Sequence, residues 1–162
     1  MAVDDPELAL IAADVRCGVE SLLGATTVDA MLDDADGRAD ELETYRGTIA
    51  ELNASELAGY TTRAAELQEL VGRVDNYASL RFAVDTADPD NGALMQRVQE
   101  RATAISTKLI FFELEWVTID DARAATLLDD PALDFCAHHL RSLRRYRDHV
   151  LTEPEERIVA EK

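Results

Sequence analysis

Four prolines and seven glycines are all that punctuate these 162 residues, too few for a chain of many short strands joined by tight turns. No hairpin dipeptide stands between alternating segments and no period of two is sustained, so the pattern leaves helices as the building element. Only two cysteines occur, Cys17 and Cys136, without CxxC spacing. That excludes a disulfide framework and predicts reduced thiols in a cytoplasmic protein. No apolar run reaches the ~20 residues of a membrane span. The opening MAVDDPELALIAADVR lacks the basic segment of a secretory signal. Lysine is nearly absent too: Lys108 and Lys162 are the only two, and every other cation is arginine.

What is abundant is acid. Asp plus Glu number 33 against 16 Lys plus Arg, a formal charge of -17. Such a surface repels phosphate backbones and anionic lipid, so neither nucleic acid nor membrane is an expected partner. Many Asp and Ala with so little Lys point to a halophilic or high-GC bacterial source. The hydrophobic fraction of 47% belongs to a folded chain with a core, sufficient for one domain at this length.

The expected fold is all-α, an antiparallel bundle built on a long helical hairpin at about residues 55–86 and 89–117, with shorter flanking helices. Asn53 and Glu56 have the spacing of a capping box. The helix they open carries Leu57, Tyr60, Ala64, Leu67, Val71, Val74 and Ala78 on one face. Asp88 can cap the second long helix, with Pro89 in its first turn. That helix repeats the pattern in Leu94, Val98, Ala102, Ile105, Leu109, Phe112 and Trp116. A short helix is expected at 5–13 and another from Thr27, weakened by Gly37. Thr118–Asp121 has the spacing to cap a helix through Leu128. Asp130 and Pro131 should start a helix running to the arginines, and Thr152–Glu155 a last one, still uncapped at Lys162. Phe111 lies off the main stripe of FFELEW and, with Leu140 and Leu143, predicts an apolar flank through which the chain self-associates.

Candidate chemistry is sparse, and no catalytic, cofactor-binding or metal residue is assigned. His138 and His139 are adjacent and diverge by about 100° on a helix, while His149 lies ten residues further on. None forms the His-Glu-x-x-His of a zinc peptidase. Glu113 and Glu115 also diverge. The turns LDDADGRAD and DTADPDNG lack the glycine and glutamate of a calcium loop and read as solvated helix ends and caps. Cys136 has no activating partner in sequence. Arg141, Arg144, Arg145 and Arg147 form an anion-binding cluster on one reading. On the favoured one they balance a helix C-terminus and pair with neighbouring carboxylates.

The stretches YRGTIAEL, NYASLRFAVDTADPDN, LMQRVQERATAISTKLIFFELEW and LRRYRDHVLTEPEERIVAEK resemble, in order, the N-terminal region of oligoendopeptidase F-like zinc metallopeptidases of the M3 group. The resemblance covers residues 18–162; residues 1–17 form an undefined extension. It implies the helical wall of a channel that admits short peptides. It places zinc, its ligands and the catalytic glutamate in a C-terminal domain that these residues do not include, so the chain is expected to be a truncated part, inactive alone. The implied partners are that catalytic domain, in cis or as a separate chain, and the oligopeptide substrates of the whole enzyme. The alternative is a free-standing helical module that binds peptides or proteins.

Overall fold

A computed structural model describes residues 19–160. The expected helix at 5–13, Cys17 and the last two residues lie outside them. Six α-helices occur among the described residues and no strand: α1 (Val28–Glu43), α2 (Ala54–Val84), α3 (Pro89–Thr118), α4 (Asp121–Leu128), α5 (Ala137–Arg144) and α6 (Glu153–Ala160). None is long and apolar enough to cross a membrane.

Local chemistry explains most of the boundaries. Thr27 Oγ1 accepts the Ala30 N–H at 3.2 Å and starts α1. Both arms of the capping box at α2 form: Glu56 N–H donates to Asn53 Oδ1 and Asn53 N–H to Glu56 Oε2, at 3.0 and 2.9 Å. At the hairpin turn Asp85 Oδ1 accepts from Ala87 N–H, and Asp88 Oδ1 from Asp90 N–H. Buried Asn91 closes this turn by donating its Nδ2 to the Asp85 carbonyl. Gly37 does not interrupt α1, because Ala35 and Ala39 beside it are fully buried and the burial of that face offsets the ~1 kcal/mol cost of a helical glycine.

Three expected boundaries differ. Thr118 still belongs to α3, where its hydroxyl donates to the Glu115 carbonyl; the cap of α4 is Asp120, whose carboxylate accepts from Ala122 and Arg123. Asp130 caps only a 3₁₀ turn, Pro131–Leu133. Bonds such as Leu133 N–H to Asp130 O and Cys136 N–H to Leu133 O wind the chain tightly here, and the α-helix resumes only at Ala137. At α6 half of the expected box forms: Thr152 N–H donates to Glu155, but the Thr152 hydroxyl donates to the same carboxylate instead of capping a helix N–H.

Helices α2 and α3 pack as the expected hairpin, and α1 lies along one side of it, touching both. Buried Met31, Leu32, Leu42, Leu57, Leu67, Val74, Val98 and Ile105 form that shared core. Phe111 and Leu140, read from sequence as an exposed flank, are 1% and 0% exposed, and Leu143 packs partly buried against the core. The helical period locates a face but does not say what lies against it. The Arg46 guanidinium sits 4.6 Å over the Phe111 ring, and α5 carries Leu140 inward. The large apolar residues that are exposed include Phe135, Tyr146, Ile158 and Val159.

The acidic face of α1 is not merely solvated. Asp29, Asp33, Asp36 and Asp40, spaced four, three and four apart, face Arg97, Arg101 and Lys108 of α3. Partial burial alone would raise the Asp36 pKa, but hydrogen bonds and charge from Arg101 and Lys108 outweigh it and hold the carboxyl below its usual 3.8. A folded-state pKa below the unfolded one adds stability above about pH 4, lost as pH falls through the lowered value. Asp36→Asn should therefore cost about 0.5–1 kcal/mol in urea unfolding at pH 7 and low salt, because the pairs are half-exposed. The difference should shrink below pH 3 and in 1 M NaCl; a cost that ignores both would show that the charges do not matter.

Candidate functional site

The side of the α2–α3 hairpin facing away from α1 is only partly covered. The turn at Pro131–Leu133 meets α2, and α5 meets α3. Beyond them a groove of about 570 Å³ stays open between the two long helices. Its walls are small or apolar, including Ala64, Val71, Leu109 and Ile110, over buried Leu67, Ile105 and Phe112. Polar groups are few: Thr61, Gln68, Ser106 and Glu113. Phe135, Cys136 and His139 close one end, with Phe135 63% exposed.

Aromatic packing makes that end rigid. Tyr60 stacks on Phe112 at 4.7 Å and meets Tyr45 and Phe111 edge-on. Burial, with the Glu115 carboxylate nearby, pushes the Tyr60 phenol well above its ordinary range, so it stays neutral. Burial likewise raises the Cys136 thiol, which donates to the Leu133 carbonyl. A thiol held protonated is a poor nucleophile, consistent with the lack of an activating partner. His138, His139 and His149 are all exposed, and only His139 reaches the groove. Among the described residues no three His, Cys, Asp or Glu side chains are arranged to hold a metal ion.

The arginine cluster finds carbonyls. Arg144 donates to Trp116 O and Ile119 O, both at 2.7 Å, and Arg147 to Val117 O at 2.6 Å. Both also pair with Asp121, whose carboxyl their hydrogen bonds pull down to about 2. Arg141 donates to Leu128 O at the end of α4. Cations at a helix C-terminus were expected, but these arginines cap α3 and α4 across space rather than only their own helix. They are committed to holding the C-terminal third against α3, where Trp116 Nε1–H donates to Leu140 O at 2.8 Å. Arg145 is exposed and takes no part.

Two residues to which the sequence assigned no structural role complete this region. Glu115 accepts from Gly47 N–H and Ile49 N–H, tying α3 to the loop after α1. Gly47 has φ +83°, so the sharp YRG turn was the only available signal. Arg46 bridges Glu43 and Glu153 and donates to Lys108 O, anchoring α6.

Comparison with known proteins bears on this same stretch. Residues 115–162 match the model of a family of M3 peptidase N-terminal regions, described as Oligopeptidase F. Oligopeptidase PepF of Bacillus subtilis (strain 168) is 26% identical over 121 residues, 74% of this chain and 18% of that protein. The Oligoendopeptidase F homolog of Borreliella burgdorferi is 25% identical over 95 residues, 59% of this chain and 16% of that protein. The chain thus spans less than a fifth of the length of either relative. No solved structure matches it. The chain is similar to the N-terminal region of oligoendopeptidase F-like M3 proteins.

Proposed function

We propose, from a chain that carries an M3 peptidase-type N-terminal domain, that it serves as the non-catalytic helical wall of a zinc oligoendopeptidase acting on short peptides. The observation that carries this reading is the family match at residues 115–162. It falls on the arginine-capped unit of α4 to α6 and on Trp116. Peptide hydrolysis would belong to a separate zinc-bearing part. The described residues do not fit a zinc centre, since no ligand trio converges among them, and no step of hydrolysis is assigned to them. Their task is packing: the hairpin supplies a rigid face and the arginine capping fixes the element that follows. The cytoplasm is the proposed location.

Cleavage of a fluorogenic peptide tests the reading. The purified chain should show no chelator-sensitive turnover, with or without added zinc. Mixed with, or fused to, an M3 catalytic region bearing His-Glu-x-x-His, it should restore or redirect cleavage. Chelator-sensitive turnover by the chain alone would sink the proposal. A second reading, a free-standing module that binds peptides or proteins, is favoured by one specific observation, the open groove on the hairpin.

A further inference from the structure

We propose that the open groove between α2 and α3 is a seat for a third helix, taken by a short amphipathic helix of a partner protein with an apolar stripe and a Lys/Arg flank. This inference deepens the second reading just given. Binding alone tests it, so it can fail while the peptidase-wall reading stands.

Shape comes first. A helical hairpin presents a groove on each side, and the apolar edge along each is buried where another element lies in it. On one side α1 fills that position along the hairpin. On the other, the turn at 131–133 and α5 cover only one end. The open part, from Thr61 to Val71 along α2, is about 15 Å long at 1.5 Å per residue. That length suits two to three helical turns, which present apolar anchors at i, i+3, i+4 and i+7. Exposed Phe135 stands at the end of the groove, where an aromatic ring can cover the end of a seated helix.

Charge then selects the occupant. On the filled side, the acidic flank of α1 meets the cations of α3. On the open side the sign is reversed. Glu113 is the only Asp, Glu, Lys or Arg lining the groove. Asp75 follows one turn after Val71 on the same α2 stripe. Neither carboxylate has a hydrogen-bond or ion-pair partner among the described residues. A helix that filled this groove as α1 fills the other would therefore bring cations to both ends, and the chain's charge of -17 would favour its approach.

The probe is a fluorescein-labelled amphipathic peptide of about 14 leucine and lysine residues, titrated into the full chain and followed by anisotropy. Saturable binding should weaken about tenfold in Glu113→Arg and in Ile110→Arg, whose side chain lines the groove. Glu41→Arg, an equal charge change on α1 across the hairpin, should leave binding within about twofold. A leucine/glutamate analogue should bind at least about tenfold more weakly. Unchanged circular dichroism and urea midpoints would establish that each variant is folded. Equal loss in Glu41→Arg and Glu113→Arg would overturn the proposal by making the attraction diffuse, and so would equal binding of the analogue. Two further results would overturn it by naming another occupant. One is about tenfold tighter binding after deletion of residues 1–18, which would assign the seat to this chain's own first residues. The other is a dimer abolished by Glu113→Arg, which would assign it to a second copy.

Discussion

Trp116→Ala should lower the unfolding free energy by about 3–5 kcal/mol, the largest loss of any single substitution considered, measured by urea denaturation at pH 7. The indole is fully buried. Its Nε1–H is the partner of the Leu140 carbonyl, and the Arg144 guanidinium lies 5.6 Å over its ring. Alanine therefore opens a cavity and removes a buried hydrogen bond at once. Trp116→Phe separates the two effects. It keeps much of the apolar volume and removes only the indole bond to Leu140 O, whose helical donor remains, an expected cost of about 0.5–1.5 kcal/mol. If Trp116→Ala cost less than about 1.5 kcal/mol, the C-terminal third could not be anchored through this side chain.

Arg144→Ala should cost about 2–4 kcal/mol, because Trp116 O and Ile119 O lose their short charged bonds at 2.7 Å and keep only bonds at 3.4 Å, from Ile119 N–H and from Arg147. The Arg144 side chain is only 12% exposed, so water replaces it poorly. Arg144→Lys should recover less than half, because an ammonium cannot reach Trp116 O, Ile119 O and Asp121 from one position as the planar fork does. Full rescue by lysine would show that charge alone matters there. The same variant should raise the Asp121 pKa from about 2 towards 3.8, while Arg147 continues to hold it partly down. The sign follows: a folded-state pKa below the unfolded one supports the fold above about pH 4, and the support disappears as pH falls towards 2. Carboxyl shifts in an NMR titration would read both effects.

What the sequence made legible was local. Asn53 with Glu56, and Asp88 with Pro89, marked the caps of both hairpin helices, because a cap depends on neighbours three positions away, although α2 runs from Ala54 to Val84 where about 55–86 was expected. The apolar stripe along α2 and α3 was equally readable, although Leu70 and Tyr77 are also buried and Ala64 and Val71 only partly so. Misreadings arose where a distant element decides the outcome. Phe111 looked unpartnered because Arg46 approaches it from a loop 65 positions earlier in the chain. Thr118 looked like a cap because spacing does not reveal that α3 continues through it. The arginines were rightly read as balancing helix ends, but which helices they serve depends on the tertiary approach of Arg144 and Arg147 to α3. The groove had no signature, since it is space left between two stripes that each read as ordinary core.

The ion ladder between α1 and α3 also sets a timetable. Arg101 and Asp33 are 68 residues apart in the chain. On a ribosome adding ~5–20 residues per second, α1 waits roughly 3–14 seconds for that partner to be synthesised. Throughout that interval Met31, Leu32 and Leu42 have no finished core to enter. The carboxylates on the opposite flank of α1 repel other nascent chains in the meantime, so the acid that later fastens the helix first keeps it from aggregating.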